Sequence, residues 1–112
     1  MSIRIPPAGK PSFPTKIASF ETMGDQVDVY LGRYAVKPHN LVLTLISSEN
    51  EHPYAHCTYN HTGVGKDEVI MKTHGFHHGL SEDLFETGLF EKTGLQVNSG
   101  HVFSDIWKVK GD

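Results

Sequence analysis

Three imidazoles fall within five residues, in the run His74-Gly75-Phe76-His77-His78. Histidine nitrogens are common ligands for zinc and nickel, and on a helix His74 and His78 would share one face. The pattern stops short of a metal centre. The glutamate of the zinc-hydrolase helix is missing, and Gly75 and Gly79 disfavour a helix through the run. No cysteine pair or acidic ligand stands nearby at metal-site spacing. His74, His77 and His78 are therefore the only metal candidates, packing or solvated side chains are the ordinary alternative, and no cofactor is expected.

Other reactive groups read the same way. Asp67-Glu68 and Glu82-Asp83 are paired carboxylates, which do acid–base work only when burial drives their pKa values apart. Both sit where solvated charge is expected, one after a glycine-rich loop and one in the first turn of a helix. Cys57 is the sole cysteine, so no internal disulfide can form, and a small buried hydrophobe is its ordinary role. The sequence has no serine elbow, and Gly63-Val64-Gly65-Lys66 lacks the spacing and the hydroxyl of a phosphate loop. No catalytic residue is assigned, and the expectation is a protein that is not an enzyme; the competing reading is a metal-binding protein or enzyme centred on His74, His77 and His78.

Composition bounds the rest. At 112 residues, 38% hydrophobic and 21% charged, the chain has room for one domain with a modest core and is too apolar for a disordered tail. Its longest apolar run, Leu41–Ile46, is far below the ~20 residues a membrane-spanning helix needs. The proline-rich start lacks the apolar stretch of a signal peptide, so a cytoplasmic location is expected. A net charge of −3 with scattered basic residues argues against direct nucleic-acid binding. Eight histidines would reverse the sign of that charge on mild acidification.

Residues 1–15 read as a proline-rich arm, extended or partly disordered, and residues 16–112 as a single α+β domain. Strand-like alternation runs through Ala18, Phe20 and Thr22, then Val27–Leu31. Leu41–Ile46 is apolar on both parities and reads as a central strand covered on both faces. Tyr54–Asn60, Asp67–Lys72 and His101–Val109 supply the remaining strands. Leu80, Leu84 and Phe85 fall at helical spacing, with Gly88 as the stop. The order predicts a twisted, mainly antiparallel sheet of about five to six strands with one helix packed on one face.

The helical segment carries Glu82, Asp83, Glu86 and Glu91 with no base before Lys92. On an exposed face these acids would meet a basic partner surface and steer its approach. They are the candidate protein-binding residues, with Tyr30 and Tyr54 as alternative aromatic anchors. A structural or oligomerising module that pairs through an exposed edge strand is a further alternative.

Several short runs occur in a consistent order across residues 27–109: His52-Pro53-Tyr54-Ala55, Thr58-Tyr59-Asn60, Ile70-Met71-Lys72-Thr73, Gly88-Leu89, Thr93-Gly94 and Ser99-Gly100-His101-Val102. This order resembles the family catalogued as domain of unknown function 4313. His74 stands where that family carries an aromatic residue, which implies packing for His74 and makes the histidine cluster peculiar to this chain. The resemblance implies a small accessory protein of a phage or other mobile element. By analogy with anti-CRISPR proteins, it implies a partner in a nucleic-acid-handling host defence complex.

Overall fold

Val29 and Leu31 on one strand lie opposite Leu45 and Leu43 on the next, and this pairing builds the main wall of the core. The computed structural model describes residues 3–60, 64–73, 76–99 and 102–110. Among them the order is β1 (Ser12–Thr22), β2 (Asp25–Arg33), β3 (Leu41–Ser47), β4 (Pro53–His56), β5 (Thr58–Tyr59), β6 (Glu68–Met71), α1 (Phe76–Phe85), β7 (Phe90–Ser99) and β8 (Val102–Val109). The fold is α+β, its strand pairs are antiparallel, and it has one helix among the described residues. No helix among them is long and apolar enough to cross a membrane.

The layout differs from one sheet of five to six strands. Eight strands form two four-stranded sheets, in the orders β1-β2-β3-β4 and β5-β6-β8-β7. Three local causes explain the difference. First, the strand expected over 54–60 is broken at Cys57. Its N–H donates to the Leu43 carbonyl of the first sheet at 3.1 Å, and its own carbonyl accepts from the Lys72 N–H at 2.8 Å. One residue thus carries the chain between sheets, as strands do at the corners of packed sheets. Second, β7 lies at a sheet edge and is polar and largely exposed, with a register shift between Lys92 and Gln96, so its sequence shows no clean alternation. Third, β1 begins at Ser12, inside the proline-rich segment. Gly32 makes that possible, because a Cβ there would lie 2.7 Å from the Ser12 carbonyl oxygen and 2.8 Å from the Pro14 nitrogen.

Two further expectations are corrected. β3 is covered on its core face by Leu41, Leu43 and Leu45, and its other face is covered only in part, with Val42 buried but Thr44 and Ile46 half-buried. The helix does run through Gly79. That glycine is exposed with open space around it, while Leu80 and Leu84, one turn apart, are fully buried. Burying two leucines outweighs the ~1 kcal/mol that one glycine costs a helix. Glu82 and Asp83 consequently sit in the middle of α1, away from its first turn.

One core joins both sheets and the helix, drawing on Val27, Leu43, Val69, Met71, Leu84 and Trp107. The N-terminal arm also contributes, with Ile3 buried and Ile5 packed beside it. A buried cation ties the arm down. Arg33 is 5% exposed and donates through Nε to the Pro6 carbonyl at 3.1 Å and through Nη1 to the His39 carbonyl at 3.0 Å. Its Nη2 donates to the Lys66 carbonyl. Truncation would leave three carbonyls without their donor, so Arg33→Ala should lower stability by about 2–4 kcal/mol. Arg33→Lys should recover only part of this, since an ammonium lacks the planar fork that reaches three separate acceptors. Urea midpoints check both, and an Arg33→Ala midpoint equal to wild type would rule out the clamp.

Candidate functional site

The helix is seated by two faces of different chemistry. Leu80 and Leu84 enter the core, and Asp83 accepts a 2.7 Å hydrogen bond from the buried Thr22 hydroxyl of β1. At its end the Thr87 hydroxyl donates to the Leu84 carbonyl at 2.7 Å, and Gly88 takes a φ of 81°, the left-handed stop a helix favours. What remains is a flank on which His78, Glu82 and Glu86 follow one another at one-turn intervals, all exposed.

This flank faces the second sheet. In the β7–β8 pair Lys92 lies opposite Trp107 and Gln96 opposite Asp105, and directly opposed residues share a face. Trp107 is buried against Phe85, with ring centroids 5.2 Å apart and planes at 62°, and against Phe90 at 5.6 Å. The space between helix and strands is a cleft of about 300 Å³. Trp107 and Phe85 form its apolar wall, and Glu82, Glu86, Asp105, Lys92 and His78 its polar one. Three carboxylates thus line a cleft whose only lysine or arginine among the described lining residues is Lys92, and that ammonium sits 4.7 Å above the Phe85 ring. His78 lies 3.3 Å from Glu82, but both are more than half exposed, so this contact adds little. Asp105 accepts from the Gln96 side-chain amide at 2.9 Å. The indole N–H of Trp107 is buried with no hydrogen-bond partner among the described residues.

Of the four acids expected to form one surface, the structure brings two together. Glu82 and Glu86 line the cleft. Asp83 is turned to β1, and Glu91 lies on β7 opposite Lys108. Sequence reasoning missed Asp105 and Trp107 as cleft residues, because they join Glu82 only through the register of β8. Of the metal candidates, His78 is on the cleft flank, while His74 and the side chain of His77 lie outside the described residues. Among the described residues no group of three or more potential metal ligands occurs.

The remaining reactive groups have structural partners. Glu68 accepts the Gly65 N–H at 2.6 Å, and Asp67 lies 3.8 Å from the Lys108 ammonium. The Tyr34 hydroxyl is within 2.9 Å of the Thr58 carbonyl and hydroxyl and 2.8 Å from His56 Nε2, and burial raises the pKa of this phenol. Burial pushes the Cys57 thiol up to about 12. A thiol in that state is a poor nucleophile.

Comparisons of the chain with family models, with curated proteins and with solved structures give no match.

Two measurements test these assignments. Asp83→Ala should destabilise the fold by roughly 1–2 kcal/mol through the buried Thr22 hydroxyl, whereas Glu86→Ala should stay within about 0.5 kcal/mol of wild type. Equal effects on the urea midpoint would show that Asp83 does not dock the helix. Above the ordinary thiol pKa of 9.0 the unfolded chain ionises Cys57 while the folded chain holds it neutral until about 12. Its contribution to stability is therefore complete below pH 9.0 and is lost as pH rises toward 12. Cys57→Ala should flatten that part of the stability–pH profile.

Proposed function

We propose that this is a non-catalytic protein-binding factor that captures a basic surface of a protein partner through the cleft-side acids Glu82 of α1 and Glu86 of the turn that follows it. The observation that carries the reading is that Glu82, Glu86 and Asp105 line one cleft in which Lys92 is the only lysine or arginine among the described lining residues. Exposed carboxylates on its rim raise the local concentration of basic groups and speed encounter, while the aromatic wall below supplies area to desolvate. The acidic site narrows the earlier surface: Asp83 belongs to the helix's docking, and Glu91 to the β7 edge.

The wider setting follows from the resemblance to domain of unknown function 4313. In this proposal the chain is an accessory protein of a phage or other mobile element acting in the host cytoplasm. It occludes the basic, nucleic-acid-facing surface of a defence complex, as anti-CRISPR proteins do. A nucleic-acid-handling partner is the natural counterpart of an acidic cleft, because its own ligand-binding surface must be basic.

The test is charge reversal that spares the fold. Glu82→Lys with Glu86→Lys should weaken capture of a basic partner from a bacterial lysate by at least roughly tenfold at low salt. The far-UV circular dichroism and urea midpoint should be unchanged, since both side chains are exposed. Undiminished capture would move the interface away from the cleft, with Tyr30 and Tyr54 the next positions to test.

A further inference from the structure

The Arg33 clamp is also the floor of a second cleft, of about 250 Å³. Its walls are the N-terminal arm at Gly9, the turn at His39 and Asn40, and the loop at Gly65 and Lys66, and Arg33 itself lines it. The guanidinium bonds to all three segments, through the carbonyls of Pro6, His39 and Lys66. It therefore lies where the walls meet.

An arginine side chain carries five N–H donors. Nε has one, which goes to Pro6, while Nη1 and Nη2 have two each and donate one apiece to His39 and Lys66. One N–H on each terminal nitrogen is left without an acceptor among the described residues, in a side chain whose residue is 5% exposed. Its charge is unanswered as well. Asp67 acts on it only through its field and stands 3.8 Å from the Lys108 ammonium, and Glu68 accepts the Gly65 N–H at 2.6 Å. In a chain of net charge −3, no aspartate or glutamate is among the described lining residues, and Lys66 adds a second, exposed cation. Burial lowers the guanidinium's pKa, as expected of a buried cation with too little negative charge beside it.

These features select the occupant. Two like charges repel a cation, and an apolar group would leave the spare donors unmet. An oxyanion answers both. A carboxylate brings one charge and two oxygens, whereas a phosphate monoester brings about two charges and three acceptor oxygens, enough to serve Arg33 and Lys66 together. The cleft is smaller than the ~300 Å³ at which pockets for drug-sized ligands begin, which suits a phosphate with little attached to it.

We infer that this second cleft binds a phosphate group, free or as a small monoester, its oxygens accepting from the spare N–H groups of Arg33 and from the Lys66 ammonium. The site is separate from the acidic cleft, and either can fail without the other. Because its floor is the residue that ties three segments together, binding there is linked to stability.

Arg4 and Arg33 are the only arginines, so ¹⁵N-labelled Arg4→Lys protein shows Arg33 as its single arginine Nε–H resonance. Inorganic phosphate should shift that resonance saturably, while sodium chloride at matched ionic strength should not. Acetate should bind about tenfold more weakly than phosphate, and Lys66→Gln should weaken phosphate by a similar factor. Lys66 is exposed and Arg33 uses only its carbonyl, so without phosphate Lys66→Gln should keep the wild-type urea midpoint. Phosphate should raise the wild-type midpoint more than that of Lys66→Gln, a difference that cancels the general stabilising effect of this salt. Methyl phosphate separates the two sources: binding as tight as that of inorganic phosphate assigns the site to small monoesters, and much weaker binding assigns it to free phosphate. Three results would overturn the inference: an Arg33 resonance that stays still at tens of millimolar phosphate, equal binding of acetate and phosphate, or equal midpoint gains in wild type and Lys66→Gln.

Discussion

A buried guanidinium without a carboxylate hydrogen-bonded to it holds this fold together. Arg33 ends β2 in the first sheet, and its three bonded carbonyls belong to the N-terminal arm, the turn after β2 and the loop that leads into β6. Burial lowers the guanidinium's pKa, while the charge of Asp67 opposes that shift. An arginine nonetheless remains a cation in proteins, so its donors must be met. Backbone carbonyls meet three of them here. Each of the three segments is irregular and lacks a ladder to accept its carbonyls, so arginine and backbone solve one another's problem. Through the arm, this contact also keeps Ile3 in the core.

The second constraint is the corner at Cys57, where one residue bonds to both sheets. With the Arg33 clamp it joins the sheets over a common core, which sets β6, and through it β8, against the helix. Trp107 is the main product of that arrangement. Burying an indole gains roughly 4–6 kcal/mol from its apolar area, more than the ~1–3 kcal/mol lost on an unpaired N–H. The fold therefore tolerates an orphan donor at this indole.

Acids that look alike in sequence differ in role once the helix is docked. Asp83 and Glu82 are neighbours, yet about 100° of helical rotation sends one to a buried threonine and the other to the cleft rim. An acidic run by itself says little about an interface. A cleft in which acids from α1 and β8 face one aromatic wall says more, because it couples charge with area that can be desolvated.

Much of the fold was legible in the residues. The alternation of Val27, Val29 and Leu31, the i, i+4 pair Leu80 and Leu84, and the stop at Gly88 are local signals, set by periods of two and 3.6 residues. They sufficed for an antiparallel α+β domain with one helix. What escaped was non-local. β7 is too polar and bulged to show its period, and Cys57 divides a strand whose alternation runs straight through it. The clamp at Arg33 needs acceptors from distant segments, and no spacing encodes them. For the same reason half of the candidate site, Glu82 and Glu86, was visible as charge on one helix. Asp105 and Trp107 joined it only when tertiary packing brought β8 to that helix, because a cleft is a property of two surfaces and a sequence displays each of them separately.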